Sequence, residues 1–256
     1  MKQFLAFAKK EFVEQVRTGR LFVALIIFIL FGMMNPAIAK STPYMMEMMS
    51  EQLAETGMKV TAVEVDALSS WTQFFKNMPM MLLIFLVMFS GVLVAEYQRG
   101  TLINVITKGM KRWKVFSSKM GLLAIFWTLG CLLSYGITYS FNAFLWDNSV
   151  AHDFHFAVFA FWMFGLWLIT VLGLASVCFR SWAFVLLTVA AAFGVSYLAA
   201  LFPALKEYSP SYLLESASLL AGSEKPGAYM AAIFVTIGLI VAGNVLSVIV
   251  FNRKSI

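Results

Sequence analysis

Charge is scarce in this chain of 256 residues: Asp, Glu, Lys and Arg make up 12 % of it, against roughly 25 % in soluble globular domains. That deficit, with 61 % hydrophobic residues, excludes a soluble fold and points to a bilayer. Cysteine is equally sparse. Cys131 and Cys178 both fall inside apolar runs, where a thiol serves as a small apolar group, so no disulfide framework or redox compartment can be read from them. Catalytic signatures are missing as well: there is no GxxxxGK[ST] phosphate loop, no HExxH, no GxSxG and no pair of aspartates within an apolar run, which disfavours an enzyme. Nucleic-acid binding is not needed to explain the net charge of +6, because the distribution of that charge has a simpler origin.

What the chain does have is six uncharged runs near the length of about 20 residues that a helix needs to cross hydrocarbon. They are Leu21 to Ala39, Met78 to Ala95, Met120 to Trp146, Phe154 to Phe179, Ser181 to Leu205 and Gly227 to Asn252. None alternates with the dyad period of a barrel strand. The expected class is therefore all-α: a polytopic membrane protein of six spans, forming one domain over residues 1–256. The first run follows a basic stretch, but an organised helix precedes it, so it reads as a span rather than a secretory signal.

With six spans, both termini share a side. That side collects Lys2, Lys9, Lys10, Arg17, Arg20, Arg99, Lys108, Lys111, Arg112, Lys114, Lys119, Arg180, Arg253 and Lys254 against Glu11, Glu14 and Glu96. The remaining five basic residues face ten acids on the other side. The positive-inside rule then expects cytosolic termini in a plasma membrane.

Outside the spans, residues 1–19 read as an interface helix. Met1, Phe4, Leu5, Ala8, Phe12 and Val16 form one stripe, opposite Gln3, Lys10, Glu14 and Arg17, with a break at Gly19. Such a helix anchors to lipid, with or without contact to a cytosolic partner. Two outer segments are expected, 40–77 and 206–226. The first holds the methionine-rich stretch MMEMMSEQLAETGMKV, helix-compatible with a stop at Gly57. Its thioethers raise copper(I) as a ligand, but ordinary apolar filling is the stronger reading, because no cysteine or histidine accompanies them. The second predicts a short outer helix capped by Ser209, opened by Pro210 and closed by Gly222. His152 and His155 beside Asp147 and Asp153 fit plain surface residues better than a metal site, so none is assigned.

The span centres carry no ionisable side chain; Lys76, Glu96 and Lys119 lie at ends, where lysine can snorkel and the acid stay wet. A proton- or ion-driven carrier needs such groups at depth. The neutral interior groups, including Asn35, Asn142, Asn244, Ser134, Ser196, Thr138, Thr170 and Tyr135, are expected to join helices. Vectorial work by this chain would need energy from a docked subunit.

The connector after the second span is where such a subunit would press. Residues 100–114 contain Gly100-Thr101-Leu102, a stretch able to form about two helical turns as far as Lys108, and a break at Gly109. Leu102, Val105 and Ile106 are expected on the face offered to a partner's groove, flanked by Arg99, Lys111 and Arg112. The alternative is an ordinary positive-inside loop.

The run from Glu96 through Arg99-Gly100-Thr101-Leu102 to Gly109, Arg112 and Lys119 resembles the segment after the second span of type-2 ABC exporter permeases, the superfamily that includes ABCG-like, bacitracin-resistance and lantibiotic-immunity permeases. The chain departs from that pattern at Ile103, where an acid is common, and at Gly109, where a proline is. The resemblance implies a permease that pairs with a second copy or a paralogue and binds two ABC ATPase subunits. Glu96, Arg99, Gly100, Thr101, Leu102, Val105, Ile106, Gly109, Lys111 and Arg112 would transmit force, and the N-terminal helix would share the contact. ATP and magnesium would belong to the partner, with no cofactor in this chain. The second and fifth spans would line the pathway with Phe85, Phe89, Phe193 and Tyr197. The uncharged interior favours a hydrophobic or amphiphilic cargo such as a peptide antibiotic or lipid-like molecule. Sodium or other ion extrusion, and a membrane sensor or scaffold, stay open beside it.

Overall fold

The computed structural model describes residues 2–54, 65–107 and 109–254; Met1, the expected stop at Gly57 and Lys108 lie outside them. Eleven α-helices occur among the described residues. Lys2–Arg17 (α1) precedes Arg20–Ala54 (α2) and Ala67–Phe89 (α3). Val94–Arg99 (α4) and Thr101–Thr107 (α5) are short, and Arg112–Leu145 (α6), Phe154–Cys178 (α7) and Trp182–Ala200 (α8) are long. Pro203–Lys206 (α9) and Ala217–Leu220 (α10) are single turns before Met230–Arg253 (α11). Six segments are long and apolar enough to cross a membrane: Arg20–Met48, Ala67–Arg99, Arg112–Leu145, Phe154–Cys178, Trp182–Ala200 and Pro226–Arg253.

The first span continues well past Ala39, so the outer segment expected at 40–77 is largely helical from both sides. Pro36 lies inside that span and has no N–H to give the Gly32 carbonyl four residues back. Thr138 on α6 supplies that bond instead, its hydroxyl donating to the Gly32 carbonyl at 2.9 Å. A neighbouring hydroxyl re-satisfying a freed carbonyl is how lipid-embedded helices tolerate proline. Near the second proline, Ser41 and Thr42 donate back to Ala37 and Ile38, and the Met-, Glu- and Gln-rich sequence beyond favours a helix. The expected single outer helix between the last two spans is instead a 3₁₀ turn, Pro210–Leu214, followed by α10, which closes near the left-handed Gly222. Both pieces are tucked in: Tyr212, Leu213, Leu219 and Leu220 are buried.

α7 is the most buried span and packs against α6, α8 and α11. Around it Phe28, Phe85, Phe89, Phe126, Trp127 and Phe161 form a continuous aromatic cluster. Without water to drive helices together, close packing and neutral hydrogen bonds hold them. Asn77 donates to Asn35 at 2.8 Å and Ser70 to Asn142 at 2.7 Å. Asn244 donates to Thr170 at 3.2 Å, and Ser196 bonds the outer Ser209 and Ser211. Asn35, Asn142, Asn244, Thr138, Thr170, Ser196 and Tyr135 thus bond across to other segments as expected; of the other interior groups for which the same is expected, Ser134 is buried without a hydrogen-bond partner, Ser140 bonds its own helix, and Tyr139 and Tyr197 are exposed. α8 and α11 sit at the rim, with Phe184, Leu187, Val195, Phe234 and Val241 exposed.

Candidate functional site at the basic end

The end of the bundle that holds both termini is built from α1, α4, α5, the start of α6 and the ends of α7 and α11. The second span breaks at Ser90–Leu93, where the backbone turns before re-entering helix as α4. α4 ends at Gly100 with φ 66°, a left-handed turn that residues with a Cβ adopt at a cost of about 1–2 kcal/mol. The short helix α5 follows, and Gly109 at φ 82° turns the chain again toward α6. Two left-handed glycines therefore isolate α5 as a separate seven-residue helix across the end of the bundle.

The expected outward face of α5 is corrected by its burial. Leu102 is 0 % exposed, packed into the chain's own core, and Val105 and Ile106 are half-buried against it. Thr101, Ile103 and Thr107 point outward instead, with Ile103 47 % exposed. The apolar residues of a two-turn helix are satisfied first by its own bundle. Lys111 stays exposed, but Arg112 turns inward: it donates to the Phe251 carbonyl at 3.0 Å and also to that of Lys254. Lys254 in turn donates to the carbonyls of Val177 and Cys178 and lies 4.7 Å from the Tyr97 ring centre. Cations thus cap the C-terminal ends of α7 and α11, where the helix dipole favours them.

Behind α5 lies a cluster that the sequence did not disclose. Glu11 and Lys119 are 1 % and 2 % exposed and ion-paired to each other. Lys119 also pairs with Glu96 at 3.1 Å. Lys10 reaches Glu11 at 3.0 Å, Glu14 at 3.1 Å and Glu96 at 3.6 Å. Glu96 and Lys119 are therefore not wet and snorkelling at span ends but buried partners that join α1, α4 and α6. Burial opposes the charge on Lys10, yet the hydrogen bond and charge of Glu11 outweigh it and raise its pKa. At Glu14 burial is likewise outweighed, by the bond from Lys10, and the pKa is lowered. Glu11, Glu14 and Glu96 are the acids that come within metal-ligand distance of one another among the described residues; the ammonium groups of Lys10 and Lys119 lie among them and offset two of the three charges.

This pairing changes the reading of α1. Its packed face is Phe7, Glu11 and Gln15, at four-residue spacing, set against α6 and α2. Of the expected apolar stripe, Leu5 and Phe12 are exposed, although the Phe12 ring still meets Phe126 of α6 at 6.1 Å, while Phe4, Ala8 and Val16 are half-buried. A signal for Glu11 did exist: an acid in register with Phe7 and Gln15, and a lysine heading the third apolar run.

The four expected pathway residues do not form one surface within this chain. Phe85 and Phe89 are buried in the central aromatic cluster, with Phe28, Phe126 and Trp127 around them. Phe193 meets Phe164 edge-on at 5.9 Å and stacks with the exposed Tyr197 at the rim. At the opposite end, the His155 ring nitrogen Nδ1 lies 2.6 Å from the Tyr135 hydroxyl, and His152 bonds Leu220 through its backbone.

Comparison with curated proteins finds no match. The sequence does match the family described as ABC-2 family transporter protein, over residues 5–256. That match spans all six apolar helices, the isolated α5 and α1 from Leu5 onward, and members of the family are transmembrane subunits that generally work with an ABC ATPase. The chain belongs to the ABC-2 transporter family and is a membrane-spanning permease subunit.

Proposed function

We propose that this permease is the membrane half of an ATP-driven exporter of hydrophobic or amphiphilic molecules, energised by two ATPase subunits that dock on the basic end. In this reading both termini are cytosolic, and the permease acts as a pair with itself or a paralogue. The observation that carries it is α5: a helix held between left-handed Gly100 and Gly109, anchored inward by Leu102, with Thr101, Ile103 and Thr107 facing out. A small helix so mounted moves with the bundle rather than against it. Through α4 it is continuous with Glu96, and through Glu96 and Lys119 with α1 and the third span. A push on α5 therefore has a rigid, ion-paired route into the spans. The absence of acids and bases from the span centres supports an apolar cargo over an ion.

The test is purification of the tagged chain from its native membrane, with Ile103→Cys carrying a short cross-linker. Recovery of a stoichiometric ATPase, cross-linked through Ile103→Cys and not through a cysteine at exposed Phe144 on the opposite end, is the expected result. Recovery without any ATPase would overturn the reading. ATP turnover by the complex should rise with amphiphilic peptides; a rise with sodium ions instead would shift the cargo to an ion.

A further inference from the structure

Adjoining the ion-paired cluster, and sharing Lys10 and Glu14 with it, runs an open groove of about 660 Å³. Ala6, Lys9, Lys10, Val13, Glu14 and Arg17 form its α1 wall, with Thr18 just beyond, and Arg99 closes it from α4; Glu14 is the one acid in that lining, and its carboxylate is already paired with Lys10. Lys10 is committed to Glu11, Glu14 and Glu96. Lys9, Arg17 and Arg99 are exposed and make no ion pair among the described residues. Counting the cluster with the groove, five cations (Lys9, Lys10, Arg17, Arg99, Lys119) meet three acids (Glu11, Glu14, Glu96), so the region keeps two positive charges without a counter-ion. Lys9, Arg17 and Arg99, from two separate elements, line one groove with Glu14 as its one carboxylate, already bonded to Lys10, so their mutual repulsion is relieved only in part unless a further anion lies among them.

The position of the groove identifies the anion. Arg17 stands three residues before the first span begins at Arg20, and Arg99 is the last residue of the second. The groove therefore lies level with two span ends, at the depth of the lipid headgroups. Its α1 wall includes exposed Val13, and the adjacent edge of α1 carries exposed Leu5 and Phe12. A ligand here has an anionic head among guanidinium and ammonium groups and an apolar tail along α1. We propose that this groove is a binding site for the phosphate headgroup of an anionic phospholipid, held by Lys9, Arg17 and Arg99. The site does not depend on what the permease carries or on what docks at α5. Occupied, it neutralises the excess charge and fixes α1 against α4.

The full chain, reconstituted in nanodiscs of phosphatidylcholine with a minor fraction of phosphatidylglycerol, tests this by the ratio of the two lipids that stay bound when the disc lipids are stripped with detergent. The wild type should retain phosphatidylglycerol preferentially. Lys9→Gln/Arg17→Gln/Arg99→Gln should lower that preference by at least about tenfold, since each cation near an anionic surface contributes about fivefold. Arg253→Gln, at the same end but outside the groove, should leave it unchanged. An unchanged ratio in the triple variant, or an equal loss in Arg253→Gln, overturns the site. Displacement of the lipid by inorganic phosphate alone overturns the lipid as source in favour of a free phosphate. Loss of a co-purifying ATPase with lipid preference intact assigns the cations to protein docking and overturns it too. Should the triple variant misfold, the wild type decides: acetylation of Lys9 should slow about fivefold when phosphatidylglycerol is added to the discs, and an equal rate sinks the proposal.

Discussion

The two ends of the bundle solve the same problem with different chemistry. At the basic end, α1, α4 and α6 are joined by buried full charges, Glu11 and Glu96 on Lys119, with Lys10 at their edge. At the opposite end the joints are hydroxyls. Ser196, Ser209 and Ser211 form a closed set at 2.7–3.0 Å. Tyr212 and Tyr229 stack at 4.5 Å, with the Glu224 carboxylate accepting from Tyr212, Ser218 and Tyr229. Hydroxyl networks lose little when one member goes. Buried ion pairs are unforgiving, because removing one partner strands the other in a dry place. The fold therefore tolerates change at one end and resists it at the other, and the resistant end is where α5 sits.

Lys119→Met should have the largest effect. It leaves two buried carboxylates with only the partly exposed Lys10 to share, and a loss of about 3–5 kcal/mol is expected, read as a large fall in the thermal midpoint of the detergent-solubilised protein. Glu11→Gln in that background should recover part of the loss; no recovery would mean that Lys119 matters for packing and not for charge. Tyr229→Phe, at the other end, removes one hydroxyl that lies 2.9 Å from Glu224 and 2.5 Å from the Glu215 carbonyl. Its expected cost is about 1–2 kcal/mol. If Tyr229→Phe costs as much as Lys119→Met in the same assay, the contrast between the ends fails.

That contrast also separates what could be read from the sequence. Six apolar runs announce six helices, because hydropathy is a local property and lipid leaves the backbone no other structure. Gly100 and Gly109 announce α5 for the same local reason: both sit at left-handed turns. The joints between helices were less legible. Glu11 enters only the charge count of the basic side, because nothing local names the partner of an acid, and Lys119 lies 108 positions away. How the first span carries Pro36 was not legible either, because the hydroxyl that takes up the freed carbonyl, Thr138, belongs to another span. Leu102 looked available to a partner because nothing local reveals that the bundle already covers it. The neutral amides and hydroxyls were easier: in lipid an Asn or Thr has few choices but a neighbouring helix, and Asn35, Asn244 and Thr138 each found one.

The smallest effect is the most discriminating. Hydrogen bonds from Tyr229, then Ser218 and Tyr212, hold the Glu224 carboxyl below its ordinary pKa against a burial penalty; at the other end Lys10 does the same for Glu14. A carboxyl whose folded pKa lies below its unfolded one adds stability above the unfolded value, near 4.5 for both, and loses it as pH falls through the folded pKa. Wild-type stability should therefore fall on acidification below about pH 5, and Glu14→Gln and Glu224→Gln should each flatten the fall by part. The spans place the two acids roughly 35 Å apart, so their contributions should add within about 0.5 kcal/mol. Additivity would mean that the two ends are held independently, each by its own chemistry. A deviation larger than that would mean that protonation at one end is felt at the other through the packed helices, which is the mechanical continuity that a helix pushed at the basic end would need to open a path at the far one.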